Sequence, residues 1–269
     1  SLWGGLMDKI GNVAGPLVGY AVLSVFVLKS CFLGVMLFGQ RRVPDTVHTL
    51  AVFMVAVGHL VAMGWVVAMH SWMQTPDGAA VVDGRYQVYD WVEAIFNPSF
   101  GWSMFLTVLG AVLAVAFIVM GMTALQTLRR PPDDGERRAF KTALVAAVLA
   151  SLLQALAAVG IGDVMSRYQP AKAAVLSGYW HSGTEPDLIL FGWPDAKTQT
   201  NRWVISIPGK GGRWLARDAD GYVGLDKIPG ARPPVALSFW LLRLSVLLGF
   251  VMAVVAVLTL MSTIGQGMN

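Results

Sequence analysis

Residues 162–195 read GDVMSRYQPAKAAVLSGYWHSGTEPDLILFGWPD and open the longest polar segment of the chain, which runs from residue 166 to residue 234. Glycine, proline and aromatic residues interrupt this stretch, and no helical or strand period persists along it. We therefore predict an ordered loop with short helical pieces. Connections of this length usually have a function, so we expect the rest of the chain to hold this loop at one face of a membrane.

The composition is that of a protein with several membrane spans. Hydrophobic residues make up 55% of the chain, charged residues make up 13%, and the mean hydropathy is +0.60. Helices of about 20 apolar residues cross roughly 30 Å of hydrocarbon. The sequence predicts an all-α integral membrane protein, a bundle of about five transmembrane helices with one long outer-face loop. The predicted spans are 15–38, 47–69, 102–125, 143–161 and 235–261.

These spans divide the chain into three predicted parts. Residues 1–165 form a four-helix membrane region, which begins with an interfacial segment because residues 1–12 mix apolar and charged side chains. Residues 166–234 form a periplasmic loop. Residues 235–269 form the final transmembrane helix and a cytoplasmic tail.

The basic residues predict the orientation of the chain. The connections at 40–46 and 127–142 are rich in arginine and lysine, whereas the connection at 70–101 contains only Arg85. Because short basic loops stay in the cytoplasm, we expect a multi-pass protein of the bacterial inner membrane, with its N-terminus outside and its C-terminus in the cytoplasm. The net charge of +4 is thus explained by topology, and no nucleic-acid partner is expected.

Several short motifs occur in a fixed order along the chain. They are HSWMQTP at 70–76, FNP at 96–98, IGDV at 161–164, QPAKAA at 169–174 and LFGWPD at 190–195. In this order they resemble subunit I of the cytochrome bd-type quinol oxidases, in the part that comprises the third to seventh helices and the quinol-binding loop. The resemblance covers nearly the whole chain, and it implies a membrane subunit of a respiratory electron-transport complex.

The departures from that family concern its haem ligands. The first two helices of the family and its last helices have no counterpart, so we expect a shortened, divergent member. At the family's positions for the low-spin haem ligands this chain has Leu106 and Ser245. At two positions where the family has helix carboxylates it has Ala21 and Lys29. The resemblance therefore implies a chain that has lost the usual haem ligands.

The histidines lead independently to the same expectation. His48, His59 and His70 are evenly spaced along one predicted helix, with neighbours about 16 Å apart. They cannot ligate one iron together. A haem held by His59 and a methionine of another helix is the alternative to a packed or hydrogen-bonded histidine. We expect no haem or other metal bound by this chain, and haem in its partner subunits.

Charged side chains inside the predicted spans are few. No span has an interior Asp or Glu, so a proton relay cannot be built from this chain alone. We expect Lys29, which lies near mid-span, to pair with an acid or face a polar cavity or another subunit. The alternative is a lysine that snorkels to the cytoplasmic side.

Arg243 lies two turns into the last span, and for it we favour a structural bridge to the 166–234 loop. The alternatives are that it contacts lipid headgroups, a haem propionate or a quinone carbonyl.

Gln169, Lys172 and Arg243 are the candidate contacts to a quinone or quinol. The resemblance assigns Gln169 and Lys172 to the quinol loop, but Ser177 stands where the family has an acidic residue. Quinol oxidation needs a proton acceptor near the hydroxyl. The sequence therefore favours a bound quinone without oxidation by these residues alone.

Three hypotheses about function follow. The first is a haem-free membrane subunit, without catalytic residues, whose outer loop docks other subunits or a periplasmic redox partner, or borders a site for quinone and lipids. The second is a working half of a quinol oxidase, in which companion chains supply the missing haem ligands. The third, a transporter or channel, is disfavoured because inverted repeats and broken spans are lacking.

Overall fold

The computed structural model describes residues 4–229 and 234–265. It is mostly helical, which confirms the predicted helical membrane fold. The chain forms two compact units, Ser1–Met104 and Phe105–Asn269. Five helices are long and apolar enough to cross a membrane: Gly4–Phe38, Asp45–Gln74, Trp91–Thr127, Asp134–Tyr168 and Val235–Ile264.

The first unit is built on two neighbouring helical rods. In the first rod α1 (Gly4–Ser24), a π-helical turn (Val25–Ser30) and α2 (Cys31–Phe38) follow one another without a break. The second rod is α3 (Asp45–Gln74). They approach closely at Gly58, where an added Cβ would lie 2.8 Å from Leu28 Cβ.

The N-terminal residues are part of the first rod. α1 already begins at Gly4, so the segment predicted to be an interfacial turn is helical and continuous with the span. The buried side chains of α1 recur at the spacing of one helix face. They pack with Trp72 of α3 and comprise Ile10, Val13, Ala14 and Leu17.

A small polar subdomain connects α3 to the next span. Strands β1 (Ala79–Val82) and β2 (Arg85–Val88) form an antiparallel hairpin. Its turn residues, Asp83 and Gly84, both have positive φ angles, of 51° and 75°, as the tight hairpin turn requires. Helix α4 (Trp91–Ile95) follows, and the Asp90 carboxylate caps it by accepting hydrogen bonds from two backbone N–H groups.

The second unit is organised by three helices. α5 (Phe100–Thr127) continues into it from the first unit, and α6 (Asp134–Tyr168) and α8 (Val235–Gly265) pack with it. Leucines of α5 meet a row of alanines on α6, and such small side chains let membrane helices approach closely. Asp133 and Glu136 form a capping box at the start of α6.

The polar segment after α6 contains more β structure than predicted. The predicted helical pieces are present as α7 (Pro170–Ser177) and a 3₁₀ turn (Gly211–Trp214). Strands β3 (Leu188–Asp195) and β4 (Thr200–Ile207) form an antiparallel hairpin that was not predicted. Register shifts beside Phe191 interrupt the alternation of side chains along β3, so no period of two appears in the sequence. Two short strands follow, β5 (Arg217–Asp218) and β6 (Gly221–Tyr222).

The contact at Gly58 gives a test of the helix packing. An alanine there would press its Cβ against Leu28 and the backbone of Lys29, so we expect Gly58→Ala to destabilise the unit by about 1–3 kcal/mol. Gly64→Ala in the same helix meets nothing within 4 Å and should leave stability unchanged or slightly higher. Thermal unfolding of both variants in detergent measures the difference, and equal melting temperatures would contradict this packing.

Candidate functional site

Asn201 holds the end of α7 in place. Its Nδ2 donates a hydrogen bond to the Gly178 carbonyl at 2.8 Å, and its Oδ1 accepts one from Trp180 Nε1 at 3.0 Å. Gly178 ends α7 with a positive φ of 69°, and an added Cβ would lie 2.9 Å from the ring of Phe239 on α8. The hairpin strand β4, the end of α7 and α8 therefore meet around one glycine.

Arg243 of α8 connects the membrane helix to the polar segment. Its Nε donates to the Leu190 carbonyl at 3.1 Å, and its Nη2 donates to the carbonyl of Ile189. Its Nη1 donates to the carbonyls of Leu176, at 3.1 Å, and Phe239, at 3.0 Å. The structural bridge predicted for Arg243 is therefore present, and it reaches both α7 and β3.

The partners of Arg243 are all neutral carbonyls. Four of the five guanidinium N–H groups are used, and Cζ lies 3.1 Å from the centroid of the Phe239 ring. The Leu176 carbonyl belongs to the last turn of α7, where the helix dipole is negative. The four described ion pairs do not include Arg243, so its charge is met by dipoles and a ring face.

A cavity of about 660 Å³ lies beside this guanidinium. Its walls are the end of α7, strand β3, the 3₁₀ turn and one face of α8. We call it the Arg243 cavity. Its lining is mostly apolar and comprises Leu176, Ser177, Asp187, Leu188, Ile189, Leu190, Phe191, Gly211, Trp214, Trp240, Leu242, Arg243, Leu244, Val246, Leu247 and Phe250.

Two tryptophans in the lining carry unused hydrogen-bond donors. The Nε1 atoms of Trp214 and Trp240 are buried and have no hydrogen-bond partner among the described residues. A buried donor without a partner costs about 1–3 kcal/mol. Because both Nε1 atoms are buried, they do not face the open space of the cavity, and the two indole rings contribute apolar wall to it. Sequence reasoning did not single out either indole, because the pairing of a side-chain donor depends on tertiary contacts.

Gln169 and Lys172 lie at the other end of α7. Gln169 occupies its N-cap position and Lys172 its first turn, so that Lys172 precedes Leu176 by about 6 Å along the helix axis. Neither residue lines the Arg243 cavity. The Lys172 side chain is exposed overall, but partial burial of its ammonium lowers the pKa of this group. Of the three candidate quinone contacts, the structure brings only Arg243 to the cavity.

Sequence reasoning missed one acidic residue of the site. Asp187 lines the cavity, and its carboxylate accepts hydrogen bonds from Ser206 Oγ at 3.1 Å and the Gly209 backbone N–H at 3.2 Å. Its signal in the sequence was only its position directly before the apolar run of β3. A carboxylate at this place can accept a proton, which Ser177 cannot do.

The motifs at 70–76 and 96–98 meet in the first unit. Asn97 Nδ2 donates to Ser71 Oγ at 2.9 Å, and Asn97 Oδ1 accepts from Thr75 Oγ1 at 2.9 Å. Ser99 Oγ completes the cluster by donating to the Ser71 carbonyl at 3.0 Å. All four side chains are buried, and they join the end of α3 to the start of α5. These motifs therefore stabilise the fold.

Lys29 lies in the π-helical turn of the first rod. Residues 4–229 and 234–265 provide no acidic partner for it. The close approach of Gly58 to Leu28 and the Lys29 backbone fixes the position of this turn against α3. The predicted pairing of Lys29 with a carboxylate stays a prediction.

Comparison with known proteins assigns the chain to a family. The sequence profile described as cytochrome bd terminal oxidase subunit I matches residues 1–268. The chain belongs to the cytochrome bd terminal oxidase subunit I family. It is a multi-pass protein of the bacterial inner membrane, and its family consists of membrane subunits of respiratory oxidoreductases.

Individual members of the family are distant and longer. The chain is 27% identical over 266 residues to the cytochrome bd ubiquinol oxidase subunit 1 of Bacillus subtilis (strain 168). This match covers 94% of the chain and 57% of that protein. It is 27% identical over 216 residues to the cytochrome bd-II ubiquinol oxidase subunit 1 of Escherichia coli (strain K12), or 77% of this chain and 41% of the relative. The chain thus spans about half the length of the relatives that it matches.

A solved structure shares the fold. The structure of bd oxidase from Geobacillus thermodenitrificans superposes with a TM-score of 0.82 at 23% sequence identity. The match covers 96% of this chain and 60% of that one.

The cytochrome bd family implies haem, and the histidines of the described spans, with the two matched ligand positions, provide no pair of donors on facing helices. His48 Nε2 lies 3.0 Å from the Met36 carbonyl, and His70 Nε2 lies 2.8 Å from Gln74 Nε2. His59 is exposed on the same helix. The Ser245 hydroxyl donates to the Leu241 carbonyl within α8, at 2.8 Å. Haem iron in proteins takes His, Met, Cys or Tyr donors. Leu106 and Ser245, at the two matched ligand positions, are none of these.

The bridge can be tested by changing its geometry while keeping its charge. Arg243→Lys cannot reach four carbonyls at once, so we expect it to loosen residues 178–229 and to destabilise the unit by about 3 kcal/mol or more. Limited proteolysis in detergent and thermal unfolding measure the two effects. Arg202→Lys is the matched control, because Arg202 forms an exposed ion pair with Asp195. Equal protease resistance of the two variants would contradict the bridge.

Proposed function

We propose that this chain is a haem-free subunit of a cytochrome bd-like respiratory complex, in which it docks partner membrane subunits and contacts a quinone in the Arg243 cavity. The observation that carries this proposal is the combination of the family's fold over 96% of this chain with Leu106 and Ser245 at the family's ligand positions. Haem then belongs to the partner subunits. This chain supplies structure and a binding surface, and no catalytic residue.

The absence of haem follows from the chemistry of the donors. A low-spin haem inside a membrane protein needs two axial ligands from facing helices. Leu106 has no donor atom, and Ser245 uses its hydroxyl within its own helix. The three histidines of the spans all belong to α3, so they cannot face each other. A haem on His59 would lie on the exposed side of that helix.

The docking role is supported by exposed membrane helices and by Lys29, which has no acidic partner among the described residues. The apolar windows of the first and last spans are each only 6% buried. A lysine in the middle of a bilayer costs about 2.5–3.5 kcal/mol, so a carboxylate of a partner subunit beside Lys29 would stabilise the complex. In the orientation we propose, the N-terminus and residues 166–234 are periplasmic and the C-terminus is cytoplasmic. A periplasmic redox partner would then meet the β3–β4 hairpin.

The quinone contact is supported by the shape and polarity of the cavity. A quinone has two carbonyl acceptors on a ring with an apolar tail, and the cavity has apolar walls, two indole rings among them, and a guanidinium. A lipid can occupy the same surface when no quinone is present. Gln169 and Lys172 would contact the ring only if it reached the other end of α7.

A second candidate function is favoured by Asp187. In that case the chain is the working part of a quinol oxidase, and companion chains supply the haem ligands. Asp187 lines the cavity and would accept a quinol proton there, which is the role that Ser177 cannot fill. Loss of quinol oxidation in Asp187→Asn with assembly intact would favour this function over the structural one.

The haem content of the purified complex tests the leading proposal. We expect the chain, separated from its partners in mild detergent, to show no stoichiometric haem absorption, and His59→Ala to leave the haem content of the complex unchanged. Haem retained by this chain in a one-to-one ratio, and lost in His59→Ala, would contradict it.

Quinone binding is tested at the aromatic wall of the cavity. Trp240→Ala removes an aromatic lining side chain, so we expect about tenfold weaker binding of a short-chain ubiquinone, measured by equilibrium titration of the purified chain. Trp203→Ala is the control, because Trp203 is 76% exposed on β4. Equal affinities in the two variants would exclude the Arg243 cavity as the quinone site.

A further inference from the structure

The β3–β4 hairpin has an exposed apolar surface outside the Arg243 cavity. On β4 the exposed large apolar side chains are Trp203, Val204, Ile205 and Ile207. Three of them are consecutive, so apolar side chains project from both faces of the hairpin. We propose that this hairpin lies in the lipid headgroup layer of the membrane surface at which α8 begins. The inference is independent of the proposed function, because it concerns neither haem nor quinone.

The depth of the hairpin follows from its contacts with α8. The span Val235–Ile264 has 30 residues, so it is about 45 Å long, which is the thickness of a bilayer with its headgroups. Two carbonyls of β3 accept hydrogen bonds from Arg243, which lies about 12 Å below the start of α8. The Phe191 ring lies 5.0 Å from that of Trp240, which is nearer to the start. The hairpin therefore lies beside the part of α8 that crosses the headgroups and the outermost hydrocarbon.

The tip of the hairpin points away from the hydrocarbon. Asn201, near the tip, donates to the Gly178 carbonyl at 2.8 Å, and Gly178 closely approaches the ring of Phe239. Phe239 lies one turn nearer to the start of α8 than Arg243 does. The turn at residues 196–199 therefore reaches water, where the proposed periplasmic partner would still meet the hairpin.

The apolar surface of the hairpin continues onto the membrane helix. Phe191 and Trp193 of β3 are exposed, although both rings also contact Trp240. Leu241 and Leu244 of α8 are exposed in the same part of the second unit. Since these leucines belong to a membrane span, the bilayer that covers them also reaches β3. This continuity favours lipid over a soluble protein as the occupant of the surface.

The charged groups of the hairpin are compatible with the headgroup layer. Asp195 and Arg202 form an ion pair, and the Asp187 carboxylate at the start of the hairpin accepts two hydrogen bonds. Lys197 and Lys210 are exposed, and lysine side chains at the edge of a membrane extend their ammonium groups to water and phosphates. Each of these charges is thus either bonded within the chain or within reach of water.

The backbone of the hairpin limits how deeply it can lie. Open edges of a sheet are not tolerated in hydrocarbon. The pairing of β3 with β4 skips Leu190, and its carbonyl instead accepts a hydrogen bond from Arg243 Nε at 3.1 Å. The Ile189 carbonyl accepts one from the same guanidinium. Arg243 thus satisfies the end of β3 nearest the hydrocarbon, and the other edges meet headgroups and water.

An irregularity of β4 directs Trp203 outward. Its φ angle is 51°, which bulky residues seldom adopt, and it lies where the register shifts between Phe191 and Trp193. Such bulges change the direction of a side chain, and Trp203 is 76% exposed. Tryptophan is enriched where membrane meets water. The irregularity therefore places an indole ring at the level that suits it.

Spin labelling of the native membrane complex in nanodiscs tests this position. Cys31 is the only cysteine of the chain, so Val204→Cys and Ile205→Cys each add one label site to a Cys31→Ser chain, whose own signal is subtracted. We measure the ratio of collisions with oxygen, which concentrates in lipid, to collisions with a water-soluble nickel chelate. We expect both sites to exceed the ratio of Asp220→Cys, on the exposed β5–β6 turn, and to stay below that of Leu248→Cys, within α8.

Three results would contradict the proposal. A ratio equal to that of Asp220→Cys would place the hairpin in water, and a ratio equal to that of Leu248→Cys would place it in the hydrocarbon core. Few collisions with either reagent would mean that another subunit covers the hairpin. Val204 and Ile205 are exposed, so both variants should keep the melting temperature of the Cys31→Ser chain, and if one does not fold the other decides.

Discussion

The guanidinium of Arg243 is the constraint on which the second unit depends. A cation in an apolar helix is costly unless dipoles surround it, and here four backbone carbonyls and the Phe239 ring do so. Three of those carbonyls belong to α7 and β3. The position of the polar segment over the membrane helix therefore follows from one side chain, and the Arg243 cavity forms where that segment and α8 separate.

Buried hydrogen bonds of polar side chains hold the framework together. Ser71, Thr75 and Asn97 of the family motifs form a buried hydrogen-bonded cluster, and Asn201, outside those motifs, fixes Gly178 and Trp180. Removing one member of such a cluster leaves buried polar groups without partners, which costs about 1–3 kcal/mol for each group. These residues thus maintain the framework regardless of what Leu106 and Ser245 can bind.

The spans could be predicted because hydropathy is read directly from the sequence. The helices extend beyond the apolar windows, as at Gly4 and Tyr168, because capping and packing determine where a helix begins and ends. The β1–β2 hairpin had a readable signal in Asp83-Gly84, whereas the bulges beside Phe191 removed the alternation that would have revealed β3. The bridge of Arg243 was predictable because a charge inside a span demands partners. The indoles of Trp214 and Trp240 and the carboxylate of Asp187 reach the cavity through tertiary contacts that no local pattern encodes.

The most direct test is a density map of this chain within its native membrane complex, at a resolution that shows side chains. We expect the Arg243 guanidinium against the carbonyls of Leu176, Ile189 and Leu190, with every tetrapyrrole ligated by other chains. An Arg243 side chain turned away from α7 and β3 onto a haem propionate, with the iron of that haem ligated by this chain, would contradict it.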